Sequence, residues 1–474
     1  MKNRVYIKDL KENVGKEVII AGWVNIRRDQ GKMVFFDMRD MTGLVQCVVL
    51  PSRMNVKNLP VKNSGAFALG DIGQGTHDAE NSLLGDISKE IRPEWVLKIT
   101  GIVNKRPDKN VKQDTLNGDV ELEVMNIKVL SKASELPFAL DADLNIDTLL
   151  DYRPLTLRRD RERAIFKVQN EILISLREFL SSEKFTEFRA PLIVGGDAEG
   201  GTEVFKFEYF YDKIAYLATS PQLYKQIMVG VFERVFTVTN VFRAEKHSTT
   251  RHLNEYTSLD LEMGFIDGPE DVMKLETRLI IYVTEYLKNN CAKEFKLLNA
   301  TFPLIPEEDM FPSIKLTEAQ ELISKETGVD CTKEPDLDPE HERWLSEYAK
   351  KKFNSDFIFI TNYPRTKRPF YAMDDPDIPG KTKCYDLLFR GLELLSGNQR
   401  EHRYDVLIEK MKWKGLDPEK FSFYLQAFKY GLPPHGGLAM GLERLTARFL
   451  NISNIKEATL FPRDINRIDK RLSE

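Results

Sequence analysis

Apolar residues follow one period in the first part of the chain and another in the rest. Over residues 1–132 they alternate or run together in short stretches. Lys16–Val24, Lys32–Met38, Gly43–Leu50, Trp95–Val103 and Val120–Leu130 each read as a strand, with a turn at Asp29-Gln-Gly31 between the first two. Five short strands predict a small β-barrel of the OB type. Asn58–His77, rich in Gly, Asn and Ser, reads as a long loop inserted before the fourth strand, for which disorder and a specific contact are equally open. Residues 133–155, with Pro137 and Pro154, read as a linker. Beyond it the period changes. Ile165, Val168, Ile172, Leu176 and Leu180 recur at helical spacing and predict a helix over Asp160–Ser182. Phe188–Ile193 reads as a strand, and Asp267-Gly-Pro-Glu270 as a helix start leading into Val272–Asn289. Residues 313–350 read as helical and charged, and Phe357–Thr361 as a strand. The expected class is α+β, with a barrel over 1–132 and a second domain over 156–474.

The composition narrows the class without naming a function. A chain of 474 residues with 42% hydrophobic and 30% charged content describes a globular protein of two or three domains. No run approaches the roughly 18 apolar residues of a membrane span, and Met1-Lys-Asn-Arg-Val lacks the apolar segment of a signal peptide. Cys47, Cys291, Cys331 and Cys384 are scattered and none sits in a CxxC pair, so neither a zinc site nor a disulfide framework is indicated and a reducing cytoplasm fits. With a net charge of −4, any nucleic-acid surface must be a local basic patch.

The chemistry concentrates in two places. Val241-Phe-Arg-Ala-Glu245 is followed after a short loop by Arg251-His-Leu-Asn-Glu-Tyr256. Arg243 and Glu245, two apart, would face the same side of a strand, and a guanidinium forks phosphate oxygens better than an ammonium does, so the cluster suits a polyphosphate. Near the C-terminus, Gly436-Gly-Leu-Ala-Met-Gly-Leu-Glu-Arg444 lets backbone approach a ligand closely. It is neither a Walker A loop nor a Rossmann fingerprint.

Together these stretches resemble motifs 2 and 3 of the class II aminoacyl-tRNA synthetases. Over nearly its full length the chain is similar to the aspartyl-tRNA synthetases, in the shorter form typical of archaea and the eukaryotic cytosol. Ala198–Phe205 resembles that family's mobile loop over the amino acid, Ser220–Gln226 its amino-acid pocket, and Arg390–Arg400 the strand that holds magnesium and the substrate carboxylate. The resemblance implies a catalytic antiparallel sheet flanked by helices, ATP as substrate, Mg²⁺ as cofactor, and L-aspartate and tRNA(Asp) as partners. It leaves open whether tRNA(Asn) is also charged. It implies that Arg243 is catalytic, holding the α-phosphate and the α-carboxylate. Glu245 would read the adenine amino group or the tRNA 3′ end, and Arg251 and His252, next to Leu253, would take the outer phosphates. Tyr256 would stack on adenine with Arg444 on the other face, beside Gly441. Glu393 and Ser396 would hold magnesium through hard oxygens. Lys225 and Arg400 would pair with the aspartate side chain, while Glu199, Gln222 and Asp260 would receive the ammonium group or frame the pocket. His435 is expected to be structural, because a carboxylate attacking phosphorus needs no protein base. Ala439 departs from a frequent glycine, and Lys246 from a frequent acid.

In the barrel, Trp23, Phe35 and Phe36 interleave with Arg27, Arg28 and Arg39, a pattern that suits stacked anticodon bases. Phe35 and Phe36 are adjacent, so only one can face outward, and Phe35 is expected to be that one. Helix Asp160–Ser182 and the strand through Pro191 resemble motif 1, which implies a homodimer. The rival readings are an asparaginyl enzyme, against which Lys225 argues, a non-catalytic tRNA-binding paralogue, which would be expected to lack the arginines, and a synthetase-like amidating enzyme, which would lack the barrel.

Overall fold

The structure, a computed structural model, describes residues 3–30, 33–57, 83–113, 117–196, 203–308 and 310–468. The 58–77 insert and Glu199 lie outside the described residues. The chain divides into two units, Met1–Ala142 and Asp143–Glu474.

In the first unit, β1 (Glu17–Gln30), β2 (Met33–Arg39), β3 (Leu44–Val49), β4 (Val96–Lys105) and β5 (Val120–Ser131) close a barrel in the order β1-β2-β3-β5-β4. Burial alternates along β2 and β4, as a period-2 pattern requires when one face of each strand lines the barrel core. Helix α1 (Leu84–Glu90) adds Leu84 and Ile87 to that core.

The second unit begins inside the stretch expected to be a linker. Helices α2 (Ile146–Asp151) and α3 (Arg153–Thr156) occupy its end, the first capped by the Asn145 side chain, which accepts from the Thr148 N–H. Helix α4 spans Asp160–Ser182. The strand expected over 188–193 is a correction: it is broken into β6 (Thr186–Glu187), at the edge of one sheet, and β7 (Ile193–Val194), in another, with Pro191, which has no N–H to give a ladder, between them. There follow β8 (Lys206–Tyr209), β9 (Lys213–Leu217), α5 (Gln222–Phe232), β10 (Arg234–Phe242), β11 (Glu255–Gly264), α6 (Pro269–Asn290) and β12 (Ser313–Lys315). The charged stretch 313–350 is two helices, α7 (Leu316–Thr327) and α8 (Pro339–Phe353). Gly328 closes the first in the left-handed conformation, at φ +74°, and Asp338 caps the second through the Glu340 and His341 N–H groups. Last come β13 (Phe357–Thr361), β14 (Cys384–Phe389), β15 (Glu393–Gln399), β16 (His435–Gly441) and α9 (Leu442–Phe449).

Eight strands form one sheet in the order β12-β13-β14-β15-β16-β11-β10-β6, antiparallel throughout its middle and parallel only at the β12 and β6 edges. Period-2 alternation gives this sheet two unlike faces. Leu259, Leu261 and Met263 of β11, Leu438 and Met440 of β16, and Leu387 of β14 pack with Ile172 and Leu176 of α4 and Leu279 and Val283 of α6 in the main core. The intervening residues, Ser258, Asp260 and Glu262 on β11 and Ser396 and Asn398 on β15, point the other way. The strands therefore supply core and chemistry at once. No helix among the described residues is long and apolar enough to cross a membrane.

Candidate active site

On the polar face of the sheet lies a cavity of about 400 Å³. It is lined by Gln222, Lys225, Arg243, Glu245, Arg251, His252, Leu253, Tyr256, Glu393, Ser396, Arg400, Gly441 and Arg444, so residues from five separate stretches of sequence meet in one place. Asp260 lies beneath it, fully buried.

At one end two buried cations are held by two buried acids. Lys225 Nζ donates to Asp260 Oδ2 at 2.8 Å and to the Leu438 carbonyl at 2.9 Å, and lies 3.6 Å from Glu262. Arg400 forks both oxygens of Glu262, at 2.7 and 3.0 Å. Burial alone would resist ionisation of Glu262, but Arg400 and then Lys225 outweigh it and hold its pKa below the usual glutamate value. Asp260 is thus committed to Lys225 and to the Ser258 hydroxyl, which donates to it at 2.5 Å, rather than being open to the cavity. Gln222 donates to Gln226 at 2.9 Å. His435 is fully buried outside the cavity lining. Its Nδ1 lies 2.8 Å from the Pro433 carbonyl, which fixes a tautomer whose Nε2 accepts from Gln226 at 2.9 Å. Burial depresses its pKa to about 4. The glycine run lies on strand β16. A Cβ on Gly437 would lie 2.1 Å from the Leu261 carbonyl and 2.3 Å from Glu262, so glycine there makes room for the buried acid. The Ala439 methyl lines the cavity and is accommodated.

At the other end the strand geometry differs from expectation. β10 stops at Phe242, so Arg243 and Glu245 lie just past it rather than on it. They still converge, at 3.7 Å, because the Arg243 N–H donates to the Asn254 carbonyl and keeps the two sides of the loop together. The Arg243 guanidinium lies 5.8 Å from the centre of the Tyr256 ring. Arg251 reaches Glu342 at 3.2 Å, and His252 lies 2.6 Å from the Thr249 hydroxyl. The pKa of His252 is lowered, by burial first and then by Arg444, His247 and Arg251, against Glu245. In Glu443-Arg444 the two side chains part company. Both Glu443 oxygens accept from the Thr257 N–H, and burial lifts its pKa to about 7, whereas Arg444 turns to the cavity and donates to the Glu393 carbonyl at 3.2 Å.

Glu393 accepts from the Ser396 hydroxyl at 3.1 Å. Its pKa is raised by burial and by Asp386, against Arg444, Arg368 and Ser396. Asp386 was not anticipated from the sequence. It stands opposite Ser396 in the β14–β15 register and is held by Arg368 at 2.6 and 3.2 Å. Two carboxylates and a hydroxyl, with Asp386 close enough to oppose the ionisation of Glu393, are a hard-oxygen donor set that fits a divalent cation. The usable signal was the hairpin: Cys384–Phe389 is apolar except for Asp386, and it pairs with the strand carrying Glu393.

The family description "tRNA synthetases class II (D, K and N)" matches residues 145–465, and "OB-fold nucleic acid binding domain" matches residues 18–130. The chain belongs to the class II tRNA synthetases. It is 43% identical to the aspartate–tRNA(Asp/Asn) ligase of Thermus thermophilus, over 98% of this chain and 99% of that one. It is 39% identical to the aspartate–tRNA(Asp) ligase of Pyrococcus abyssi, over 98% of each. Among solved structures, asparaginyl-tRNA synthetase from Pyrococcus horikoshii complexed with asparaginyl-adenylate superposes with a TM-score of 0.85 at 31% identity, covering 99% of this chain and 100% of that one.

In this synthetase the OB-fold unit carries its own polar face. Phe36 is fully buried while Phe35 is half-buried on the opposite side of β2, directly across from Arg28 of β1. Arg28 pairs with Asp37 at 2.9 Å. Arg27 pairs with Asp29 at 3.0 Å and donates to the Ser88 carbonyl at 3.1 Å. Arg39 corrects the sequence reading. It is buried and forks the buried Glu94, so its charge is spent inside the unit and is not presented to nucleic acid.

Proposed function

We propose that this chain is an aspartate–tRNA ligase. It joins L-aspartate to ATP as aspartyl-adenylate with release of pyrophosphate, then transfers the aspartyl group to tRNA(Asp). The observation that carries this reading is the pair of buried cations, Lys225 and Arg400, fixed by Asp260 and Glu262 at the end of the cavity away from Arg243. Both offer N–H donors and no acceptor, which suits a side-chain carboxylate and leaves the NH₂ of a carboxamide facing cations. The names of the curated relatives, aspartate ligases at 43% and 39% identity, support the same choice over the asparagine enzyme.

The chemistry follows from the arrangement. A carboxylate oxygen of the substrate forms a bond to the α-phosphorus as the bond to the β-phosphate oxygen breaks, and pyrophosphate carries away the electron pair. No proton moves, so no base is required, which agrees with His435 being neutral and held by two hydrogen bonds. What the reaction needs is alignment and charge stabilisation. Arg243 would supply both at the α-phosphate, Arg251 and His252 would bind the outer phosphates, and adenine would lie between Tyr256 and Arg444. Magnesium bound by Glu393, Ser396 and Asp386 would offset phosphate charge. Phe35, Arg27 and Arg28 would meet the anticodon.

We read the enzyme as a homodimer. The β8–β9 hairpin exposes Phe207 and Tyr209 on one side and Phe210 and Tyr211 at its turn, an apolar surface suited to a second copy.

The test is ATP–pyrophosphate exchange with each amino acid, followed by charging of purified tRNA(Asp) and tRNA(Asn). Aspartate should drive exchange and asparagine should not. Comparable rates would favour the asparaginyl reading, and charging of tRNA(Asn) with aspartate would widen the substrate range to both tRNAs.

A further inference from the structure

Helix α8 belongs to the pair of helices set between β12 and β13, and none of its residues was expected at the site. Yet one turn of it reaches the cavity from behind. Glu342 accepts from Arg251 at 3.2 Å, and the same guanidinium donates to the Gly391 carbonyl at 3.5 Å. Four residues on, and so on the same face of the helix, the buried Ser346 hydroxyl accepts the Gly391 N–H at 2.8 Å. Gly391 is the turn between β14 and β15. It sits at φ +77°, and a Cβ there would meet Arg343 of the same helix at 3.0 Å. Two residues later comes Glu393, whose carbonyl accepts from Arg444. A single helical turn therefore fixes an arginine that lines the cavity and the turn that launches the strand of Glu393 and Ser396.

The direction of these contacts matters. Arg251 has five N–H donors, and the two acceptors behind it occupy part of that set while the side chain still lines the cavity. Held from behind, a guanidinium presents its remaining donors in one orientation, so less conformational freedom is lost when an anion arrives.

We propose that Glu342 and Ser346 are positioning residues for ATP, holding Arg251 and the Gly391 turn so that the triphosphate meets a preformed site. This rests on the reading of the cavity as an ATP and aspartate site. Glu342 touches no substrate in this assignment and acts through Arg251.

The experiment is aspartate-dependent ATP–pyrophosphate exchange by the full-length chain, wild type against Glu342→Ala, Glu342→Gln and Ser346→Ala, with thermal melting of each. Loss of one charge-assisted hydrogen bond that aligns a phosphate ligand should raise the KM for ATP about tenfold in Glu342→Ala. The KM for aspartate should stay within about twofold. Glu342→Gln keeps an acceptor of the same shape and should recover most of the loss, while Ser346→Ala should shift the KM for ATP in the same sense by less. A folded Glu342→Ala with an unchanged KM for ATP overturns the proposal. So does a KM for ATP that falls, since that would make Glu342 a competitor for Arg251. A lowered melting temperature with the two KM values rising together would assign the helix a purely structural role and also overturn it. Failure of the wild type to exchange at all would instead strike the ligase reading, so the two failures are distinguishable.

Discussion

Replacing Lys225 by methionine tests the architecture of the pocket. Methionine keeps the length of the lysine stem and so leaves little cavity. What disappears is one buried charge and its bonds to Asp260 at 2.8 Å and to the Leu438 carbonyl at 2.9 Å. The two acids beneath are affected unequally. Glu262 keeps both of its bonds to Arg400, whereas Asp260 keeps only the Ser258 hydroxyl. The variant therefore strands about one buried carboxylate, and breaking a buried pair in this way costs ~3–5 kcal/mol. There is a ceiling on the loss. An aspartate in water titrates near 3.9, so the chain can escape by taking up a proton at a cost of ~4 kcal/mol at pH 7. At ~2 °C per kcal/mol, the low end for a large domain, thermal unfolding should move down by about 8 °C. Aspartate-dependent exchange should fall at least ~100-fold. The companion is Lys225→Met with Asp260→Asn, which removes both charges and should regain much of the stability while activity stays lost. Differential scanning calorimetry and a double-mutant cycle give the coupling directly. A melting temperature within about 2 °C of wild type, or a double variant no more stable than the single one, would mean the charges are solvated and would refute the reading of this pocket.

Arg243→Ala should lower kcat/KM for exchange at least ~100-fold, the scale of removing one preorganised charge stabiliser, and activity within threefold of wild type would take Arg243 out of the site. His435 gives a pH dependence. Its pKa is about 4 when folded and ~6.5 in an unfolded chain, so the stability it contributes is present above pH ~6.5 and is lost as pH falls through that window, by ~3 kcal/mol in all. Urea midpoints between pH 7.5 and pH 4 should show a shallower loss for His435→Gln than for wild type, and equal slopes would exclude His435 as the source. In the barrel, Phe35→Ala should raise the KM for tRNA, with ~1–3 kcal/mol expected for one lost base stack, while the KM for ATP in exchange stays the same; an unaltered KM for tRNA would place the anticodon elsewhere.

Much was legible in the sequence because it depends on neighbours along the chain. Alternation set the five barrel strands, helical spacing located the helix Asp160–Ser182, and the strand read over Phe357–Thr361 has the bounds the structure has. Two glycine- and arginine-bearing motifs named the site, and the residues they contribute meet in one cavity. What the sequence could not contain is which groups face each other. That Glu262 takes Arg400, that Asp386 stands across from Ser396, and that Arg39 spends its charge on Glu94 are consequences of strand register and barrel closure, set between residues from ten to more than a hundred positions apart. Glu342 is the clearest case. On its own helix it is one acid in a charged run, and only the packing of that helix against the β14–β15 turn brings it to Arg251. Local periodicity is written residue by residue, whereas the partner of a buried charge is chosen by the whole fold, since a charge withdrawn from water must find its counter-ion wherever the chain has carried it.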